Sequence, residues 1–155
     1  MKTPEPIKCF LVDLETRERL EFQYNPNDIS DEKGTHYAVV RIPGLSHPKY
    51  QFVAGEARKI AFTLQLFKGP VRETVAWLQS LLYPEHAGSI LKNAPHRVLL
   101  VIGELYPGLV CAVRQVKARF FNLFDPATLN PQQAEVELVL EEPVETSIDY
   151  RTVRT

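Results

Sequence analysis

The sequence lacks the features that mark membrane proteins and nucleic-acid binders. Its longest apolar runs are far shorter than the roughly 20 residues that a transmembrane helix needs. The N-terminal stretch MKTPEPIKCFLVDLE contains no apolar segment of the length found in secretory signals. A net charge of -1 gives no overall attraction to DNA, RNA or anionic membranes. We therefore expect a soluble chain that is made in the cytoplasm, carries no signal for conventional export and has no membrane partner.

Cysteine is scarce, which argues against a fold held together by disulfides. The two cysteines, Cys9 and Cys111, each lie in an apolar, strand-like run, and neither belongs to a CxxC pair. This setting predicts two buried free thiols in a reducing compartment. A disulfide between paired strands is the alternative interpretation.

Motifs for catalysis and for metal binding are also missing. The four histidines (His36, His47, His86 and His96) form no HxH, HExxH or Cys/His ligand set, and His47 and His96 each lie beside a proline, as in an exposed loop. No GxSxG, P-loop or GxGxxG occurs. We therefore predict no enzyme and no catalytic, cofactor-binding or metal site.

Short β-type segments make up most of the chain. We predict strands at residues 7–15, 20–24, 35–41, 49–53, 58–67, 97–106, 109–121 and 134–142. The clearest is 58–67, where the apolar residues Ile60, Phe62, Leu64 and Leu66 share one face. In the last strand, Glu135 and Glu137 are expected to face Lys117 and Arg119 across a strand pair, a charged surface rather than a catalytic carboxylate pair.

One segment changes to helical periodicity. Residues 69–84 place Val71, Val75, Leu78 and Leu82 on one stripe, with Pro70 in the first turn and Pro84 after the end. The whole pattern predicts a single mainly β domain over 1–155, with a core at 7–142 and a C-terminal arm at 143–155. Its expected fold is an antiparallel β-barrel or sandwich of about seven or eight strands, with the one helix closing an open end.

The segment from 25 to 57 is too long and too apolar to be an ordinary connection. It has three prolines, Pro26, Pro43 and Pro48, among exposed-looking apolar residues. Either it folds back on its own sheet or it docks on an adjacent subunit, and symmetric association is the common use of such a surface. Glu56 and Arg58 share a strand face, and they are expected to form an ion pair, at an interface or within the chain.

The strings FQYNPNDI and IPGLSHPKYQFVAGEARKIAFTLQLF give this segment a family likeness. They resemble the N-terminal tube-like domain of baseplate and tube-initiator proteins from contractile injection systems, which include contractile phage tails, tailocins and extracellular injection particles. The resemblance covers about residues 7–142. The matching positions are Asn25, Pro26, Ile42, Pro43, Gly44, Leu45, Ser46, Pro48, Gln51, Phe52, Gly55, Glu56, Arg58, Phe62 and Leu64.

The resemblance implies a tail-tube fold with six copies in a ring. The ring would join the spike or hub to the first ring of the tube, nucleate tube assembly and let DNA pass through its lumen without sequence-specific binding. Its partners would be tube, spike, hub and baseplate proteins, and it would reside in the virion tail or injection particle. Subunit or ring contacts are expected at Asn25, Pro26, Ile42, Pro43, Gly44, Leu45, Pro48, Tyr50, Gln51, Phe52, Gly55, Glu56 and Arg58. Longer members carry a C-terminal LysM module, for which the residues after 142 are too few.

A small ligand-binding barrel for a carbohydrate or a peptide is the rival interpretation. Such a module needs a concave aromatic patch, and the only candidate group in the sequence is Tyr24, Tyr37 and Tyr50. The same tyrosines fit the first interpretation as aromatic anchors of an interface. A ligand that raises the melting temperature of the isolated chain would favour the ligand-binding module.

Overall fold

The computed structural model describes residues 9–67, 69–121, 125–144 and 148–154, and within them the chain is mainly β. The strands are β1 Phe10–Asp13, β2 Arg19–Glu21, β3 Ile29–Glu32, β4 Thr35–Val40, β5 Lys49–Gly55, β6 Lys59–Leu66, β7 Glu85–Ala87, β8 Ile90–Asn93, β9 Arg97–Ile102, β10 Tyr106–Phe120 and β11 Ala134–Glu141. The helices are α1 Val71–Ser80 and α2 Tyr150–Arg154. Each of the eight predicted strands overlaps an observed one: those at 7–15, 20–24, 35–41, 49–53, 58–67, 97–106, 109–121 and 134–142 correspond to β1, β2, β4, β5, β6, β9, β10 and β11.

Seven strands form one antiparallel sheet in the order β2-β1-β9-β10-β11-β6-β3. Within the described ranges this sheet is open, with β2 and β3 at its edges, so of the predicted barrel or sandwich the structure shows a mainly β, antiparallel fold and no closed barrel. After β3 the chain forms β4 and β5, which pair with each other as a separate hairpin.

One face of the large sheet is buried against α1. Strands β6 and β11 alternate strictly, and each places four apolar side chains in the core, as their period-2 sequences predicted. These residues are Ile60, Phe62, Leu64, Leu66, Ala134, Val136, Leu138 and Leu140. The core also contains the inward residues of β1, β9 and the helix.

The helix confirms the periodicity argument, with one correction at its end. Val71, Val75 and Leu78 are buried, and Pro70 is the N-cap residue. Leu81 rather than Leu82 completes the buried stripe, because the chain leaves the helix after Ser80 and Leu81 occupies the C-cap. The indole N–H of Trp77 donates to Oε2 of Glu18 at 2.9 Å, which ties the helix to the β1–β2 turn.

Three short strands, β3, β7 and β8, lie outside the predicted strands. β3 occupies part of the 25–34 segment, and β7 and β8 form a hairpin within 86–96 and its flank. Strands of three or four residues are too short for periodicity to reveal. Pro107 and Gly108, which separate two predicted strands, lie within β10, whose pairing with β9 shifts register between Tyr106 and Leu109.

Both thiols are buried and free, as predicted. Burial raises the pKa of Cys9, and it raises the pKa of Cys111 to about 11. Part of the predicted C-terminal arm, residues 145–147 and 155, lies outside the described residues, as do residues 7 and 8 of the first predicted strand. The described part of the C-terminal segment 143–155 contains the exposed helix α2.

Candidate functional site

A solvent-exposed hairpin is the unusual feature of this molecule. Residues 35–55, which we call the arm, comprise β4, a turn and β5. Every residue of β5 is exposed, and in β4 only Ala38 is half-buried. Eight large apolar side chains of the arm are exposed: Tyr37, Val39, Val40, Ile42, Leu45, Tyr50, Phe52 and Val53. A soluble chain rarely leaves so many such side chains together in water, so this surface is the candidate interaction site.

The strand register divides the arm into two faces. Tyr37 lies opposite Phe52, and Val39 lies opposite Tyr50, so these four side chains share one face. The ring of Tyr37 meets Tyr50 and Phe52 edge-on, with centroid distances of 6.4 and 6.1 Å. Tyr50 and Phe52 remain 67% and 63% exposed. We call this the aromatic face, and it offers a preformed apolar surface with few freely rotating side chains.

The end of the arm is a tight turn that presents two more apolar side chains. The backbone N–H of Leu45 donates to the carbonyl of Ile42 at 3.2 Å, and Gly44 has φ 88°. Proline at the second position and a positive-φ glycine at the third fit a type II turn, so the sequence IPGL encodes this geometry. Ile42 and Leu45, which flank the turn, are both exposed.

The arm has a one-sided charge. Within the arm the charged residues are Arg41 and Lys49, and no aspartate or glutamate occurs, whereas Glu32 and Glu56 flank it. Because the whole chain has a net charge of -1, the remainder is negative. An apolar surface that carries only positive charges fits a partner that is apolar and acidic.

At the root of the arm, Glu56 and Arg58 have different partners, and of the two interpretations the one in which an ion pair ties this turn to its own chain is confirmed for Arg58. Arg58 pairs with Asp31 and Glu142 of its own chain. Glu56 lies against Gly34, where its backbone N–H donates to the Gly34 carbonyl at 3.0 Å. Arg58 therefore has an intramolecular role.

The other predicted contact residues divide between the arm and the segment before it. Pro43, Pro48, Gln51 and Gly55 are exposed in the arm. Asn25 is exposed and Pro26 half-buried, and both lie in the connection before β3. Most of the predicted contact residues therefore lie in the arm.

The three tyrosines predicted as one group occupy two places. The ring of Tyr24 stacks on Phe67 at a centroid distance of 4.6 Å. Tyr37 and Tyr50 instead contact each other in the arm. Their ring contacts do not assemble the single aromatic patch that the ligand-binding interpretation needs.

His96 differs from the other histidines: it lies in the loop before β9, as its proline neighbour suggested, but it is half-buried rather than exposed. Its Nδ1 lies 2.8 Å from Oδ2 of Asp13, and its Nε2 lies 3.2 Å from Oε2 of Glu15. The hydrogen bond to Asp13 raises the pKa of His96. Burial favours a higher pKa for Asp13, but hydrogen bonds from His96 and from the backbone N–H groups of Glu15 and Thr16 outweigh it, so the pKa is lowered.

The described residues give no support for a metal centre, since no three of their His, Cys, Asp or Glu side chains are grouped to hold an ion. His36, His47 and His86 are exposed. In the parts of the chain that the structure describes, no helix has both the length and the apolar character needed to cross a bilayer.

The sheet face opposite α1 is polar. In register, Lys117 lies across from Glu137, and Arg119 lies across from Glu135, which confirms the predicted cross-strand arrangement. We call this the polar face, and its residues on β6, β10 and β11 are Ala61, Thr63, Gln65, Gln115, Lys117, Arg119, Glu135, Glu137 and Val139.

Sequence reasoning missed the polar cluster at the root of the arm. Its members Asp31, Tyr106 and Glu142 are far apart in the sequence and join only because β3, β6, β10 and the end of β11 meet there. No local pattern marks Asp31 or Glu142. The buried Asp13 did have a signal, because it ends an apolar strand at an inward position.

No protein-family model matches the chain, and no curated protein matches it.

Proposed function

We propose that this chain is a structural component of a contractile phage tail or a related injection particle. Six copies would form a ring in the baseplate hub or proximal tube, join the spike to the tail tube and nucleate tube assembly. The observation that carries the proposal is the arm, a preformed apolar hairpin that its own sheet does not cover. The resemblance of the arm sequence to tube-initiator domains supplies the identity of the assembly.

Two features of the chain favour a second copy of itself as the partner. The arm carries positive charge only, and the remainder of the chain is negative, so copies related by rotation complement each other. The large sheet is open and leaves the outer edges of β2 and β3 without a strand partner among the described strands. Strand edges and apolar faces of this kind are buried when subunits associate in a closed ring.

The polar face suits the lumen of such a ring. It mixes Lys117 and Arg119 with Glu135 and Glu137, so neither sign of charge dominates. A wall of this kind lets DNA pass without holding it, because strong binding needs a continuous positive surface. The proposed mechanism is assembly, with no catalytic step.

Electron microscopy of particles from cells that lack this gene is the decisive experiment. Tails that are absent, or baseplates without a tube, support the proposal. Particles that look normal and still inject would refute the proposal and favour the ligand-binding module instead.

Two variants test whether the arm is the assembling element. Ile42→Asp with Leu45→Asp should leave the isolated chain folded by circular dichroism, because both side chains are already in water, yet block incorporation into particles. Gly44→Val should also block it, because valine is strained at φ 88°. A matched control places the same two acidic residues at Leu105 and Leu129, which are 63% and 72% exposed outside the arm. Normal incorporation of the arm variants would contradict this role.

A further inference from the structure

The connection before β9 places His96 between two carboxylates. Its Nδ1 lies 2.8 Å from Oδ2 of Asp13, the last residue of β1, and its Nε2 lies 3.2 Å from Oε2 of Glu15 in the β1–β2 turn. The side chain of Asp13 is 5% exposed, whereas that of Glu15 is 52% exposed. One imidazole ring therefore joins a buried carboxylate to a surface carboxylate.

Both contacts can be hydrogen bonds only when the ring carries two protons. An ionised carboxylate accepts hydrogen bonds and cannot donate them. A neutral imidazole has one N–H and one bare nitrogen, so it can donate to Asp13 or to Glu15 but not to both. The imidazolium ion donates from both nitrogens, and the observed geometry matches this charged form.

When the ring loses one proton, the contact with Asp13 should persist and the contact with Glu15 should break. Asp13 is buried, so its Oδ2 would lose a hydrogen-bond donor in a place where water cannot easily replace it. The carboxylate of Glu15 can turn into solvent instead. The remaining proton should therefore stay on Nδ1 of His96, and a bare Nε2 would face Glu15.

The backbone around this contact is held by bonds that do not involve the ring. Oδ1 of Asp13 accepts from the backbone N–H groups of Glu15 and Thr16, at 2.9 and 3.3 Å. The N–H of Leu14 donates to the carbonyl of Arg97 at 3.0 Å. The turn therefore keeps its place when the ring titrates, and the side chain of Glu15 is the part that can respond.

Further charged groups lie on the elements next to His96. Glu85, in β7, adds a negative charge that favours the protonated ring, and its carboxylate also pairs with Nζ of Lys92 at 3.4 Å. Arg97, the next residue in the chain, is exposed. The pKa of His96 is raised, first by the hydrogen bond to Asp13 and then by the charges of the surrounding carboxylates, although burial opposes this. The ring therefore keeps its second proton above the ordinary range of histidine.

We propose that the contact between His96 and Glu15 is a proton-operated switch at the end of the large sheet, which holds the Glu15 carboxylate while the ring is charged and releases it when Nε2 loses its proton. Proton loss removes the positive charge of the ring and leaves a free surface carboxylate, so this end of the sheet becomes more acidic. A basic partner would then bind more strongly, and an acidic partner more weakly. The switch belongs to the free chain and does not depend on the proposed function.

Nuclear magnetic resonance of the isolated chain across neutral pH tests the switch directly. The nitrogen signals of His96 should show both ring nitrogens protonated at the acidic end and the Nδ1–H form of the neutral ring at the alkaline end. The side-chain carboxyl carbon of Glu15 should change with the same midpoint as the ring. A neutral ring in the Nε2–H form would overturn the proposal, and so would a Glu15 signal that stays constant at the His96 midpoint.

Glu15→Gln tests the contact with little risk to the fold. It removes the charge of the carboxylate but nearly keeps its size, so the midpoint of the His96 titration should fall. The chain should still fold, because the Glu15 side chain is largely in water and only its backbone N–H bonds to Asp13.

Glu104→Gln is the matched control. It removes the same charge from an exposed residue in the turn after β9, whereas His96 precedes that strand. The midpoint of the His96 titration should stay native. Equal changes in the two variants would reveal only a general effect of net charge and would overturn the specific contact.

His96→Gln completes the test from the side of the ring. The Glu15 signal should lose its change near neutral pH, because no titrating partner remains beside it. A change that persists in this variant would assign the response of Glu15 to another group and would overturn the switch.

Discussion

β5 and β6 are consecutive strands separated by three residues, and they have opposite surroundings. All seven residues of β5 are exposed, whereas four of the eight in β6 are buried in strict alternation. β6 lies between β11 and β3 beneath the helix, but β5 has only β4 as a neighbour. A strand can thus form from local pairing alone, while burial depends on which elements reach its faces.

The difference between β5 and β6 shows which apolar side chains stabilise the isolated chain. Apolar side chains in the body, meaning the seven-stranded sheet and α1, are removed from water and contribute about 25 cal/mol for each Å² buried. Those of the arm stay in water and contribute little until a partner covers them. Burial of the arm by a partner would therefore contribute to the free energy of binding.

The largest contrast is expected in thiol reactivity. Cys111 is fully buried and its pKa is raised to about 11, so alkylation requires opening of the sheet. A cysteine introduced by Leu45→Cys at the exposed turn should react at least about a thousandfold faster, since opening a core strand costs much of the global stability. Mass spectrometry of iodoacetamide-treated native protein measures both rates. Similar rates would show that the body opens as readily as the arm.

Truncation of apolar side chains sharpens the same contrast. Leu138→Ala in β11 should lower the free energy of unfolding by about 3 kcal/mol, because it leaves a cavity in a fully buried site. Phe52→Ala in the arm should change it by less than about 0.5 kcal/mol. Urea unfolding of the monomer measures both. A large loss in Phe52→Ala would mean that the arm packs on the body in solution.

The smallest effect is a pH dependence in the body. The pKa of His96 is raised above its ordinary 6.5, first by the hydrogen bond to Asp13 and then by the charges of Asp13, Glu15 and Glu85. This stabilisation is fully present below pH 6.5 and is lost as the pH rises through the raised value. The unfolding free energy should fall by about 1 kcal/mol or less between pH 6 and pH 8, because His96 is partly exposed.

Two variants separate this effect from other titrations. His96→Gln should remove the fall, whereas His36→Gln in the exposed arm should leave it unchanged. Urea unfolding at the two pH values measures the difference. An equal fall in His96→Gln would assign the pH dependence to another group.

Local sequence was enough for most of the body. The alternation in 58–67 and 134–142 predicted which side chains of β6 and β11 are buried, because the period of a strand is independent of its neighbours. The helix over Val71–Ser80 followed from its 3.6-residue stripe between Pro70 and Pro84. The cross-strand position of Lys117 and Glu137 followed from the same alternation.

Contacts between distant segments were beyond such reasoning. The pairing of Arg58 with Asp31 and Glu142, and of His96 with Asp13, depends on strands that are neighbours in the sheet but not in the chain. The sequence predicted an ion pair near Glu56 and Arg58 but not the partners Asp31 and Glu142, and it predicted a loop at His96 but not the bond to Asp13. In both cases the partner is distant in the sequence.

The sequence by itself determined that residues 25–57 contain β-type segments and an unusual number of apolar side chains. It did not decide between folding back on the sheet and projecting from it, because both leave the local backbone the same. Only the tertiary structure decided this: β4 and β5 satisfy their hydrogen bonds with each other, and the hairpin that they form is not part of the large sheet.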